Sequence, residues 1–199
     1  MSDLVSHVAA PELLRAVRGH GGAMPPDLLQ RIEYRVGDEG DDNGPLRAGL
    51  ADLLLHDFNT RDRSLLRELV AQETAARRST DDGCGDTLYA LCFMLYCVGE
   101  PEDCLLLHEA KHANFDAGCT IDSHMLTMRR RRAEMLAFLD ERLGDAVPLP
   151  ASTSTIRSDV EAAFDQPTYS TPEAFDNSMR RYFGLEHPAR PASLRPPST

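Results

Sequence analysis

One stretch, TLYALCFMLYCV at positions 87–98, is apolar on nearly every side of a helix, and it constrains the fold more than any other part of the chain. A helix without a polar face has to lie at the centre of a domain, with other elements covering it all round. The remaining segments supply that cover as helices. Apolar residues recur at helical spacing along most of the chain, and no run of four or more shows clean apolar/polar alternation between turn residues. The expected fold class is all-α: a compact stack of antiparallel helical hairpins, either a helical bundle or a short HEAT-like array, of about seven to nine helices.

The periodicity predicts helices over 2–18, over 26–36 after Pro25-Pro26-Asp27, over 46–58, and over 61–79 with Asn59 or Thr60 as cap. After the central segment, Gly99 is expected to act as a C-terminal stop, and Pro101-Glu102-Asp103 to open a further helix ending near Gly118. A long helix is then predicted over 123–143, with Arg129, Arg130, Arg131 and Arg132 on a solvated, ion-paired surface. Residues 1–145 should form the helical body and 146–156, rich in proline, serine and threonine, a linker. A helical extension over 157–184 is expected to dock back on the body, and 185–199 to be a disordered tail. At 199 residues the chain can bury about 70% of the surface its unfolded form exposes, so a metal or disulfide staple is optional.

Most of the chain's concentrated chemistry lies at 101–124, PEDCLLLHEAKHANFDAGCTIDSH. Within it, His108-Glu109-Ala110-Lys111-His112 matches H-E-x-x-H. In zinc peptidases two histidines one turn apart hold the ion, and the glutamate takes a proton from its bound water. Cys104, Asp116 and His124 are the candidate third ligands. Seven histidines in the chain make so short a string weak evidence, Lys111 places a cation inside it, and no spaced third-ligand signature follows. The expected cofactor is therefore none, with zinc on His108 and His112 and catalysis by Glu109 as the alternative.

The frame Ala110-Lys111, then Asn114-Phe115-Asp116, Cys119 and Asp122, following a Gly-x-Pro-x-Asp corner, resembles a family of uncharacterised bacterial all-helical proteins with an AKxxNFDxxCxxD-type segment. That family commonly has tryptophan and arginine at the positions of His108 and Glu109, and it carries no known activity. The resemblance implies that Lys111, Asn114, Asp116 and Asp122 form a polar group. A lysine–carboxylate contact there would pin a helix junction, or the group would serve as a ligand site.

The 32 acidic against 21 basic residues give a net charge of −11, which disfavours nucleic acid and anionic membrane surfaces and favours a basic partner. Asp38, Glu39, Asp41 and Asp42 concentrate that charge in a loop expected to be exposed and mobile, and they are the candidate partner-binding residues. The loop lacks the order of residues a calcium site needs. No phosphate-cradling glycine motif and no nucleophile elbow occurs. The absence of a long apolar run or a signal-like start, with five cysteines in no C-x-x-C pair, predicts a cytoplasmic protein. The expected function is a non-enzymatic acidic interaction protein, of the immunity (antitoxin-like) kind, that binds a basic protein such as a toxin. The alternatives are the zinc-dependent hydrolase above and a small-ligand sensor with its pocket between the 87–98 helix and the Lys111/Asp116 group.

Overall fold

The computed structural model describes residues 2–21, 24–38, 40–79, 83–144, 155–165, 169 and 171–185. They form α1 (Ser2–Gly19), α2 (Pro26–Ile32), a two-stranded antiparallel hairpin β1 (Val36–Gly37) and β2 (Gly40–Asp41), α3 (Gly44–Asp57), α4 (Arg63–Ser79), α5 (Asp86–Val98), α6 (Asp103–Lys111), α7 (Phe115–Thr120), α8 (Arg132–Gly144), α9 (Ile156–Asp165) and α10 (Pro172–Tyr182). Single 3-10 turns at Thr60–Asp62 and Ser123–Thr127 complete the described elements. The protein is all-α apart from the small hairpin.

α5 is the centre, as its sequence requires. Leu88, Leu91, Cys92, Phe93, Met94, Leu95 and Tyr96 are fully buried, each contributing about 1.5–3 kcal/mol for the larger apolar side chains. α3, α4, α6 and the 123–127 turn pack round it, and α1 lies on α3. No helix among the described residues is long and apolar enough to cross a membrane.

The departures from the sequence reading have local causes. α2 stops at Ile32, four residues early, because the chain extends at Glu33 and the Tyr34 N–H donates to Gln72 Oε1 of α4 at 2.8 Å. The acidic loop carries a short antiparallel hairpin, paired Val36 to Asp41 and Gly37 to Gly40. The exposed Asp42 carboxylate folds over Gly37, and a Cβ there would push it aside. Gly99 does stop α5, as its C-cap, but in extended backbone, φ −77°, and not in the left-handed form usual for glycine. Its lack of a side chain instead makes room for Leu95 O, Met128 Cε and Asp103 Oδ2, which a Cβ would meet at 2.6–2.8 Å.

The expected helix to Gly118 is two helices, broken where Asn114 takes an extended conformation and its side chain accepts from the Ala117 N–H at 2.8 Å. The expected 123–143 helix is likewise divided. Met128 and Arg129 adopt left-handed backbone, φ 48° and 57°, between the 3-10 turn and α8. The arginine run does pair with acids: Arg130 with Glu100 at 2.7 Å and Arg132 with Asp165 at 2.6 Å.

The chain divides into compact units at 1–166 and 167–199. α9, expected in a separate extension from 157, thus belongs with the body. α10 lies in the second unit, where Thr171 caps it through Ala174 N–H at 3.2 Å and Phe175 and Met179 are buried. The expected linker at 146–156 falls mostly, and the tail at 185–199 almost wholly, outside the described residues.

Candidate metal centre

The end of α6 is fixed by a set of polar contacts that the 110–122 frame encodes. Lys111 Nζ donates to Gly118 O at 2.7 Å and Ile121 O at 2.6 Å, folding α7 back beneath α6. Asn114 caps α7 with Oδ1, and its Nδ2 donates to Arg77 O at 3.2 Å, which ties the corner to the end of α4. Asp122 Oδ1 accepts from the His124 N–H at 2.7 Å and so starts the 3-10 turn. Lys111, Asn114 and Asp122 are thus junction-forming residues. The lysine engages carbonyls where a carboxylate contact was expected, and burial pulls its ammonium pKa down, with the Asp122 charge opposing. Asp116 is exposed and lies beside Gly83.

This junction holds His108 and His112 one turn apart at the end of α6. Facing them is the start of α9, whose Ile156, Val160 and Ala163 form a buried stripe seated chiefly on the 123–127 turn and α8. Between those anchors Asp159 is directed at the imidazoles. His108 Nε2 lies 2.9 Å and His112 Nε2 3.1 Å from Asp159 Oδ2, and Thr155 Oγ1 sits 3.3 Å from both His108 Nε2 and Asp159 Oδ2. The two imidazole rings are 4.3 Å apart between centroids. One i, i+4 pair on α6 meets another, Thr155 and Asp159, at the start of α9.

Two histidine nitrogens and a carboxylate oxygen, all within 4.8 Å of one another, form a metal-capable donor set. Tetrahedral zinc ligands at about 2.0–2.1 Å from the ion stand about 3.3 Å apart. The two nitrogen–oxygen separations, 2.9 and 3.1 Å, need to open by only a few tenths of an ångström. Without an ion the same atoms form a hydrogen-bonded group in which each imidazole donates Nε2–H to one carboxylate oxygen, an arrangement assigned from the network.

The electrostatics favour the protonation state a metal needs. Burial holds His108 below the usual histidine range, overcoming the opposing pull of Asp159, so its ring is neutral. Burial works against ionisation of Asp159, but the His112 and His108 donors outweigh it and keep its carboxyl below the usual range. His108 is fully buried, whereas the His112 side chain is 42% exposed and gives an ion a way in. His108 Nδ1 is buried with no hydrogen-bond partner among the described residues. Binding metal through Nε2 places a proton on that nitrogen with nothing to accept it, which costs about 1–3 kcal/mol and weakens the site.

Of the ligands named from sequence, His108 and His112 come together, but Cys104, Asp116 and His124 do not join them. Cys104 is buried and its thiol pushed up to about 12 by desolvation. His124 packs near the Tyr96 ring at 6.3 Å. Glu109 points elsewhere: its carboxylate pairs with Arg78 at 3.3 Å. The general base of the H-E-x-x-H reading is therefore not assembled. Asp159 and Thr155 escaped sequence reasoning because their contacts with the histidines span 47–51 residues. Their one signal is the T-x-x-x-D spacing that mirrors H-x-x-x-H.

The acidic loop splits in role. Asp38 and Asp42 are exposed and Glu39 lies outside the described residues. Asp41 instead turns inward to a salt bridge with Arg47, a buried arginine that also donates to Glu73 Oε1 at 2.6 Å and Ile32 O at 3.1 Å. Beside this network is a cleft of about 490 Å³ lined by Tyr34, Val36, Asp41, Arg47, Glu73 and Arg77 among others. Its two arginines and two acids pair with one another, leaving no net charge to attract a ligand. It lies on the hairpin side of α5 and does not reach Lys111 or Asp116, where a sensor pocket was expected. Comparison of the chain with protein-family models, curated proteins and solved structures returns no match, so the chemistry of the site is read from its geometry alone.

Proposed function

We propose that this protein is a metal-binding helical domain in which His108, His112 and Asp159 hold a divalent first-row transition ion, zinc by its donor set. The convergence of both Nε2 atoms on Asp159 Oδ2, within 3.1 Å, carries the reading. The role is structural. Thr155 Oγ1 stands 3.3 Å from both His108 Nε2 and Asp159 Oδ2, where it would crowd a water on a bound ion, and the motif glutamate is committed to Arg78. Titration with zinc should give one equivalent bound to the wild-type chain, and His112→Gln and Asp159→Asn should each remove most of that affinity. Full binding by both variants would refute the assignment.

The acidic exterior supports a second reading, compatible with the first, of a cytoplasmic interaction protein of immunity type that meets a basic protein partner. Its support is the net charge of −11, the exposure of Asp38 and Asp42 at the hairpin, and five free cysteines suited to a reducing compartment. Reversing Asp38 and Asp42 to lysine should slow association with such a partner and flatten its salt dependence; unchanged rates would exclude the hairpin.

A further inference from the structure

We propose that the ion works as a latch on α9: its occupancy sets how often this helix leaves the body. The inference rests on the metal reading above and adds what binding does to the molecule.

α9 has only ten residues, too few to stay helical in water without support, so its structure depends on docking. Its apolar attachment is the single stripe Ile156, Val160 and Ala163. Its other polar ties, Arg132–Asp165 and Arg157–Asp140, lie between exposed side chains and hold weakly. Among the described residues, the polar tie of α9 that reaches a fully buried side chain is Asp159 to His108.

An ion at this point is bound by two donors from α6 and one from α9. When α9 leaves, Asp159 and Thr155 leave with it, and the remaining imidazole pair is a poorer chelate. Any ligand that binds the docked form better than the open form shifts the molecule toward docking by that difference. With the open form binding negligibly, an ion at about one hundred times its dissociation constant suppresses opening by up to about 100-fold. The unaccepted Nδ1–H of His108 weakens the docked site and keeps the ion exchangeable, as a latch requires. Opening would uncover the 123–127 turn, whose Met125 and Leu126 are fully buried beneath the packed elements.

Native-state hydrogen exchange of the full chain, metal-free and with zinc, tests the latch. In the metal-free protein the α9 amides should exchange faster than those of α5, and saturating zinc should slow them by ten- to 100-fold. Asp159→Asn keeps the side chain's size and His112→Gln alters an exposed position, so both variants should fold, exchange α9 at least as fast as the metal-free wild type, and show no slowing when zinc is added. If zinc binds one-to-one yet α9 exchange is unchanged, or if metal-free α9 exchanges in step with α5, the latch is overturned while the metal site stands. If the wild-type chain takes up no zinc, both fall.

Discussion

Replacing Glu73 by leucine tests the packing beside the acidic hairpin. Arg47 and Glu73 side chains are 1% and 3% exposed and 2.6 Å apart, so the variant leaves a guanidinium buried beside α2 with the more deeply buried of its two counter-charges gone. Burial lowers the pKa of Arg47, but the Asp41 and Glu73 contacts overcome this and raise it, so the side chain stays charged. Breaking a buried pair on one side costs about 3–5 kcal/mol. Asp41, which is 20% exposed, and Ile32 O still hold part of the charge, which argues for about 3 kcal/mol. For a chain of this size that corresponds to a Tm lower by about 6–12 °C. Urea titration and calorimetry of Glu73→Leu measure it directly. The double variant Arg47→Met/Glu73→Leu should recover most of the loss, because an apolar pair of similar volume removes the stranded charge. A single variant within about 1 kcal/mol of wild type, or a double variant no better than the single, would refute the reasoning.

Gly99→Ala should destabilise by about 2–4 kcal/mol by thermal or urea unfolding, because its Cβ meets a backbone carbonyl, Met128 and Asp103 below 3.0 Å. Asn114→Ala should cost about 1 kcal/mol or more by the same measure, since it loses the α7 cap and the bond to Arg77 O together. Stability of the metal-free chain should fall as pH drops below about 6.5, where the unfolded His108 binds a proton that the buried ring resists. Asp159, also held below its unfolded value, adds a further loss as pH falls below about 3.9, the usual range for an aspartate. A His108→Gln variant that folds should show a flatter profile near pH 6.5, and an unchanged slope would contradict the assignment.

Much of the architecture was legible because it follows from short-range patterns. The apolar run of α5, the Asn59 cap before α4 and the Pro101-Glu102-Asp103 start of α6 act within a few residues, and the corresponding helices lie where the pattern puts them. The breaks were less legible, because Asn114 contacts the end of α4 and the left-handed Met128–Arg129 pair lies against Tyr96 of α5 and its C-cap Gly99, contacts that a linear pattern does not display. The hairpin at 36–41 hid behind its own charge: a run of acids reads as a solvated loop unless a buried arginine elsewhere, here Arg47, is known to draw one of them inward. The same limit applies to the metal centre. His108 and His112 share one helix and their proximity was visible, whereas the partner that gives them chemistry comes from α9, placed by Ile156 and Val160 through packing across the body.

X-ray absorption spectroscopy at the zinc edge, on the full chain loaded with one equivalent, asks the central question with the fewest assumptions. The account predicts a first shell of nitrogen and oxygen at about 2.0–2.1 Å, with the outer-shell pattern of two imidazoles and no sulfur. A shell dominated by sulfur at about 2.3 Å, or a spectrum unchanged in the Asp159→Asn variant, would show that the ion sits on the cysteines or elsewhere, not between α6 and α9.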